Sequence, residues 1–129
     1  MQSLVPLIGR VLIAAIFLIS GYGKIMDPQG AMQYMSSAGM PAVRLFLIGA
    51  IILEIGGGLC LITGFHARRG ALALIVFLVP TTLIFHTNFS DRMQVIMFLK
   101  NLAILGGLLM AAAYGAGTWS LDARRKSGP

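Results

Sequence analysis

Charge is scarce in this sequence. Only 11% of its 129 residues are charged, against 57% hydrophobic, whereas a soluble domain carries about a quarter charged residues. That balance excludes an ordinary soluble domain. Acids are scarcer still: four in all, with Glu54 the only glutamate, against ten lysines and arginines. A single cysteine, Cys60, lies inside an apolar run. It excludes an internal disulfide and a CxxC pair, and with them two-thiol redox chemistry by this chain alone. Its plainer reading is a small packed apolar residue. The only two histidines, His66 and His86, flank one apolar run and would stand about 30 Å apart on a helix. They cannot share a metal within one subunit, and no haem or zinc spacing is present. No metal site is expected. The start also lacks the marks of a cleaved leader, since no base precedes Arg10 and no A-x-A-like site follows. The first apolar run is read as retained.

What is present is apolar length. A helix needs roughly 20 apolar residues to cross about 30 Å of hydrocarbon. Four runs qualify: residues 4–22, 43–62, 70–85 and 93–114. The third is short and carries Pro80. Together with their connections and a basic tail over 115–129, they fill a single domain over 1–129. The expectation is an all-α integral membrane bundle of four transmembrane helices.

A further helix is expected between the first two spans. Asp27-Pro28 has the form of an N-cap followed by proline in the first helical position. Gly39 and Pro41 have the form of a stop. The segment between, 28–38, is too short to span, so it is expected to lie in the membrane interface with Met32 and Met35 on its apolar side.

The net charge is +6. In this setting it reads as topology and anionic-lipid contact rather than nucleic acid. Arg68, Arg69, Arg124, Arg125 and Lys126 fall on one side. Lys24, Arg44 and Arg92 fall on the other, partly offset by Asp27 and Asp91. The positive-inside rule then places both termini in the cytoplasm.

Ionisable residues within spans carry the functional signal, because each is costly at mid-bilayer and normally faces the bundle interior and pairs. Arg10 and Glu54 are expected at similar depth. Lys100 is nearer the outer half, with a side chain long enough to bend toward Glu54. Arg10 and Lys24 share one helical stripe. Ala50, Glu54, Gly57 and Gly58 share another, rich in small residues that admit a close neighbour. Arg10, Glu54 and Lys100 then form either an ionic staple or, with two bases to one acid, a net positive pocket for an anionic or polar ligand. Lys24 and His86 would stand near its outer mouth, and Asn101 beside Lys100. For His86, backbone bonding at the interface competes with proton exchange.

These residues carry a resemblance. Arg10 with Ser20-Gly21-Tyr22-Gly23-Lys24, then Glu54-Ile55-Gly56-Gly57-Gly58-Leu59, resembles the DoxX family of small inner-membrane proteins. His86-Thr87-Asn88-Phe89, Met97-Phe98-Leu99-Lys100-Asn101-Leu102 and Gly115 to Asp122 extend the likeness along the chain. The family takes its name from a subunit of a quinone-linked terminal oxidase system. The resemblance therefore implies a quinone-linked or redox-associated membrane subunit, with quinone as the candidate cofactor. Its partners would be lipids, another membrane redox protein or further copies of itself. Fold kinship does not fix function. A non-enzymatic binding or assembly protein is the alternative, and a small-solute carrier a third.

Overall fold

The computed structural model describes residues 4–85, 89–117 and 120–122. His86, Thr87, Asn88, Thr118, Trp119, Arg124, Arg125 and Lys126 lie outside the described residues. Five helices follow one another: α1 (Leu4–Met26), α2 (Pro28–Ser37), α3 (Val43–Thr63), α4 (Ala67–Phe85) and α5 (Arg92–Tyr114). All but α2 are long and apolar enough to cross a membrane. The architecture is a four-helix membrane bundle with one short extra helix.

Local chemistry sets the boundaries. The Asp27 carboxylate accepts the Gly30 N–H at 3.0 Å, and Pro28 opens α2. Beyond α2, Gly39 takes a left-handed φ of 83°, which a side chain would resist. Asp91 caps α5 by accepting the Met93 N–H at 3.0 Å. The first span runs on to Met26, past the end of its apolar run at Tyr22. α4 begins at Ala67 rather than at Gly70, and the reason lies far along the chain. The Asp122 carboxylate accepts the N–H groups of His66 at 2.7 Å and Ala67 at 2.9 Å. Asp122 thus satisfies amides that a helix start leaves without partners.

α1, α3, α4 and α5 stand side by side in that order, and α1 and α5 touch only lightly. One end of the bundle carries α2 and is called the α2 end. The other carries the α3–α4 turn and residues 120–122 and is called the tail end. Apolar burial does not drive helices together in lipid, so close packing has to. Gly57 and Gly70 provide it where α3 crosses α4. A Cβ on Gly57 would collide with Leu74 and stand 3.0 Å from the Gly70 carbonyl oxygen. The core is Ala14, Phe17, Leu61, Ala71, Leu74, Leu78 and Leu108. α2 lies against α1 and α3. Met35 is buried and Met32 half-buried against Leu47 and Ala50. The outward faces are apolar, with Leu12, Ile19, Ile52 and Val76 all exposed.

Candidate functional site

Glu54 is the most deeply buried charged residue in the bundle, with 1% of its side chain exposed. It occupies the small-residue face of α3, level with Gly21 of α1. A Cβ on Gly21 would stand 3.4 Å from the Glu54 Cβ and would collide with Ile55. Gly21 therefore lets α1 approach closely enough for a polar contact across the interface. The contact is made by Lys24, whose Nζ donates to Glu54 Oε1 at 2.6 Å. Nζ also donates to Ser20 Oγ, one turn earlier on α1, at 2.8 Å. It lies 5.7 Å from the centroid of the Phe77 ring on α4, within the range of cation–π attraction.

Three further polar residues named from sequence are placed apart from this pair. Arg10 is buried near the tail end, where Nη1 donates to the Leu61 carbonyl at 2.8 Å. The Asp122 carboxylate acts on it electrostatically. Asn101 faces α4 and donates to Thr82 Oγ1 at 3.0 Å, while the Thr82 hydroxyl donates to the Leu78 carbonyl at 2.8 Å. Lys100 is on the exposed surface of α5. The expected Arg10–Glu54–Lys100 cluster is therefore corrected to a Lys24–Glu54 pair. The expected net positive pocket is corrected as well, because Glu54 matches the charge of Lys24. Helix geometry explains the change, because side chains lean toward the N-terminus of their own helix. On α1, Gly21 is level with Glu54, so Lys24 stands just beyond it and leans back toward it, whereas Arg10 stands about 16 Å away along the axis, beside the last turn of α3. His86 lies outside the described residues.

A cavity of about 710 Å³ opens beside the pair. Lys24, Ser20 and Asp27 form one wall. Phe77, Pro80 and Thr81 of α4 form another, with Tyr34 of α2 over the top. Tyr34 stacks on Phe85 at 4.8 Å between ring centroids. α3 and α4 meet closely at Gly57 and Gly70, and the cavity fills the space between them toward the α2 end. Leu45, Phe46, Val76 and Ile84 line it and are themselves exposed, so it is open sideways, where acyl chains would lie. Sequence reasoning named Lys24 and Glu54 but missed Ser20, Phe77 and the aromatic roof. The Ser20–Lys24 spacing of four was the available signal, since such pairs meet on a helix. Among the described residues no cluster of His, Cys, Asp and Glu is placed to hold a metal. Cys60 is a half-buried free thiol packed close to Gly70.

A pocket of this kind, largely apolar with a few convergent polar groups, is the form that small-molecule sites commonly take. The two bonds at Lys24 Nζ use two of its three protons. The third is available to an acceptor in the cavity. The ammonium charge is already matched by Glu54, and Asp27 adds a carboxylate to the same wall, so the site presents a hydrogen-bond donor without an excess of positive charge.

Comparison with known proteins gives a consistent picture. Residues 5–87 match the DoxX family. The chain is 41% identical over 116 residues to the inner membrane protein YqjF of Escherichia coli, covering 90% of this chain and 88% of that one. It is 35% identical over 123 residues to the inner membrane protein YphA of the same organism, covering 92% and 88%. No solved structure matches it significantly. With its four apolar spans and these inner-membrane relatives, the chain belongs to the DoxX family as a multi-pass membrane protein.

Proposed function

We propose that this protein binds a membrane-soluble quinoid ligand in the cavity beside Lys24 and serves as a quinone-linked, redox-associated subunit of the inner membrane. The observation that carries the reading is Lys24, paired with the buried Glu54 behind it, in the wall of a largely apolar cavity that is open to the side. A ligand with a long apolar tail can enter it from the lipid phase. A charge-balanced donor suits a neutral oxygen of the kind a quinone ring presents better than it suits a carboxylate or phosphate. Both termini are proposed to be cytoplasmic, which sets the cavity in the outer half of the bilayer. The test is thermal denaturation in nanodiscs with a decyl-substituted benzoquinone. Ligand binding to the folded state raises the melting temperature. The wild type should shift and Lys24→Met should not. A wild type that does not shift contradicts the reading.

A second reading, assembly with another membrane protein, draws on α5. Leu108 is the only fully buried residue of that helix, and Lys100 is exposed on it. Intramembrane charge usually has a partner. A membrane helix bearing an acid would supply one, and so would lipid headgroups.

A further inference from the structure

Lys24 shares the cavity wall with a second donor. Its Nζ donates to Ser20 Oγ at 2.8 Å, and an ammonium has no lone pair, so the direction of that bond is fixed. Ser20 therefore accepts and keeps its own hydroxyl proton. Helical hydroxyls commonly give that proton to the carbonyl four residues earlier. Thr63, Thr81 and Thr82 do so, to Leu59 at 2.8 Å, Phe77 at 2.7 Å and Leu78 at 2.8 Å. Ser20 does not: among the described residues, its one side-chain hydrogen bond is the one it accepts from Lys24. Both residues line the cavity. The wall thus holds two donor atoms 2.8 Å apart, each with one proton to give. Asp27, in the same wall, takes neither. Its carboxylate caps α2 through the Gly30 N–H, and among the described residues Glu54 is the only acid in ion-pair contact with Lys24.

We infer that Ser20 sets the ligand class of the cavity: with Lys24 it selects a quinoid ring bearing oxygens on two adjacent carbons, as in a methoxy-substituted benzoquinone, over a ring whose carbonyl is flanked by alkyl groups. This inference rests on the reading of the cavity as a quinoid site. A single ligand oxygen is a poor match for both donors, because a tetrahedral ammonium holds its third proton away from the line to Ser20. Oxygens on neighbouring ring carbons are separated by about the distance between Nζ and Oγ. The carbonyl oxygen takes the proton of Lys24, the charged and stronger donor. The ether oxygen beside it takes that of Ser20. A carboxylate or phosphate also offers two close oxygens. It would bring a further negative charge to an ammonium already matched by Glu54, in a wall that holds Asp27 as well.

The experiment compares two decyl-substituted benzoquinones, one with two adjacent methoxy groups and one with methyl groups in their place, by calorimetry on the full chain in nanodiscs. The wild type should bind the dimethoxy ring roughly three- to tenfold more tightly, the scale of one hydrogen bond. Ser20→Ala removes the hydroxyl and should bring the two ligands within about twofold of one another. Ser20→Thr keeps a hydroxyl at that position and should keep the preference. The readout is a ratio of two affinities, so a general weakening of the cavity lowers both and leaves the ratio where it was. Equal binding of the two rings by the wild type, or a preference that survives in Ser20→Ala, overturns the inference and leaves the quinoid site standing. Failure of the wild type to bind either ring overturns the site and the inference together.

Discussion

Lys24 and Glu54 are 30 positions apart and on different helices, yet the ammonium nitrogen and the carboxylate oxygen lie 2.6 Å from one another. The two partners are not equivalent. Lys24 is two residues from the end of α1 and keeps 20% of its side chain exposed, whereas Glu54 keeps 1%. Lysine has a flexible stem that can carry its charge to the membrane surface. Glu54 has no such route.

This asymmetry predicts unequal damage. Lys24→Met strands a buried carboxylate and should lower stability by about 1–3 kcal/mol, less than for a buried pair in a soluble protein because the unfolded state in a membrane also finds partners. Glu54→Gln should cost less, as Lys24 swings outward. The double variant Lys24→Met with Glu54→Gln should recover most of the loss. Detergent denaturation of the four proteins would measure the coupling, and an additive double variant would contradict it.

The same geometry separates Lys24 from Lys100. Lys100→Met removes a charge from the exposed face of α5 and should leave both melting temperature and quinone-induced shift close to wild type. Asn101→Leu breaks the bond to Thr82 and should lower stability by about 0.6 kcal/mol, the average for interhelical bonds in membranes. A Lys100→Met protein that loses the quinone shift would move the ligand to another face.

At the tail end, Asp122→Ala should weaken the start of α4 by about 1–2 kcal/mol, the range for loss of a helix cap. It also removes a negative charge acting on Arg10. Hydrogen exchange should quicken at the amides of His66 and Ala67 and remain unchanged in the middle of α4. Protection that is equal in both proteins would show that the cap contributes nothing.

Orientation has its own check. Alkaline phosphatase fused after Pro129 should be inactive and a fluorescent protein at the same position should be bright, because the C-terminus is proposed to lie in the cytoplasm. The reverse pattern would turn the molecule over and put the cavity in the inner half of the bilayer.

The spans and the short helix could be read from the sequence because their signals are local: apolar runs, an Asp27-Pro28 start, and a stop at Gly39 and Pro41. The polar residues could be named for a similar reason, since a charge inside an apolar run stands out. Their pairing was harder to read. Depth estimates counted from the span ends placed Arg10 opposite Glu54, but the two helices are in register at Gly21, about three turns further along α1. That register leaves Arg10 beside the Leu61 carbonyl, and the lean of a long side chain toward the N-terminus of its own helix brings Lys24 to Glu54. The start of α4 at Ala67 was out of reach for a different reason, because its cap comes from the far end of the fold. The cavity depends on how far α3 and α4 separate beyond Gly57 and Gly70, and no local pattern records that distance.

The contact at Asp122 also has a bearing on biogenesis. Asp122 follows Ala67 by 55 residues, so it leaves the ribosome only after α4 and α5 have both been made. The first turn of α4 must enter the membrane surface with its amides bonded only to water. Those amides cannot acquire their carboxylate, and the tail end cannot close, until the chain has been made through Asp122.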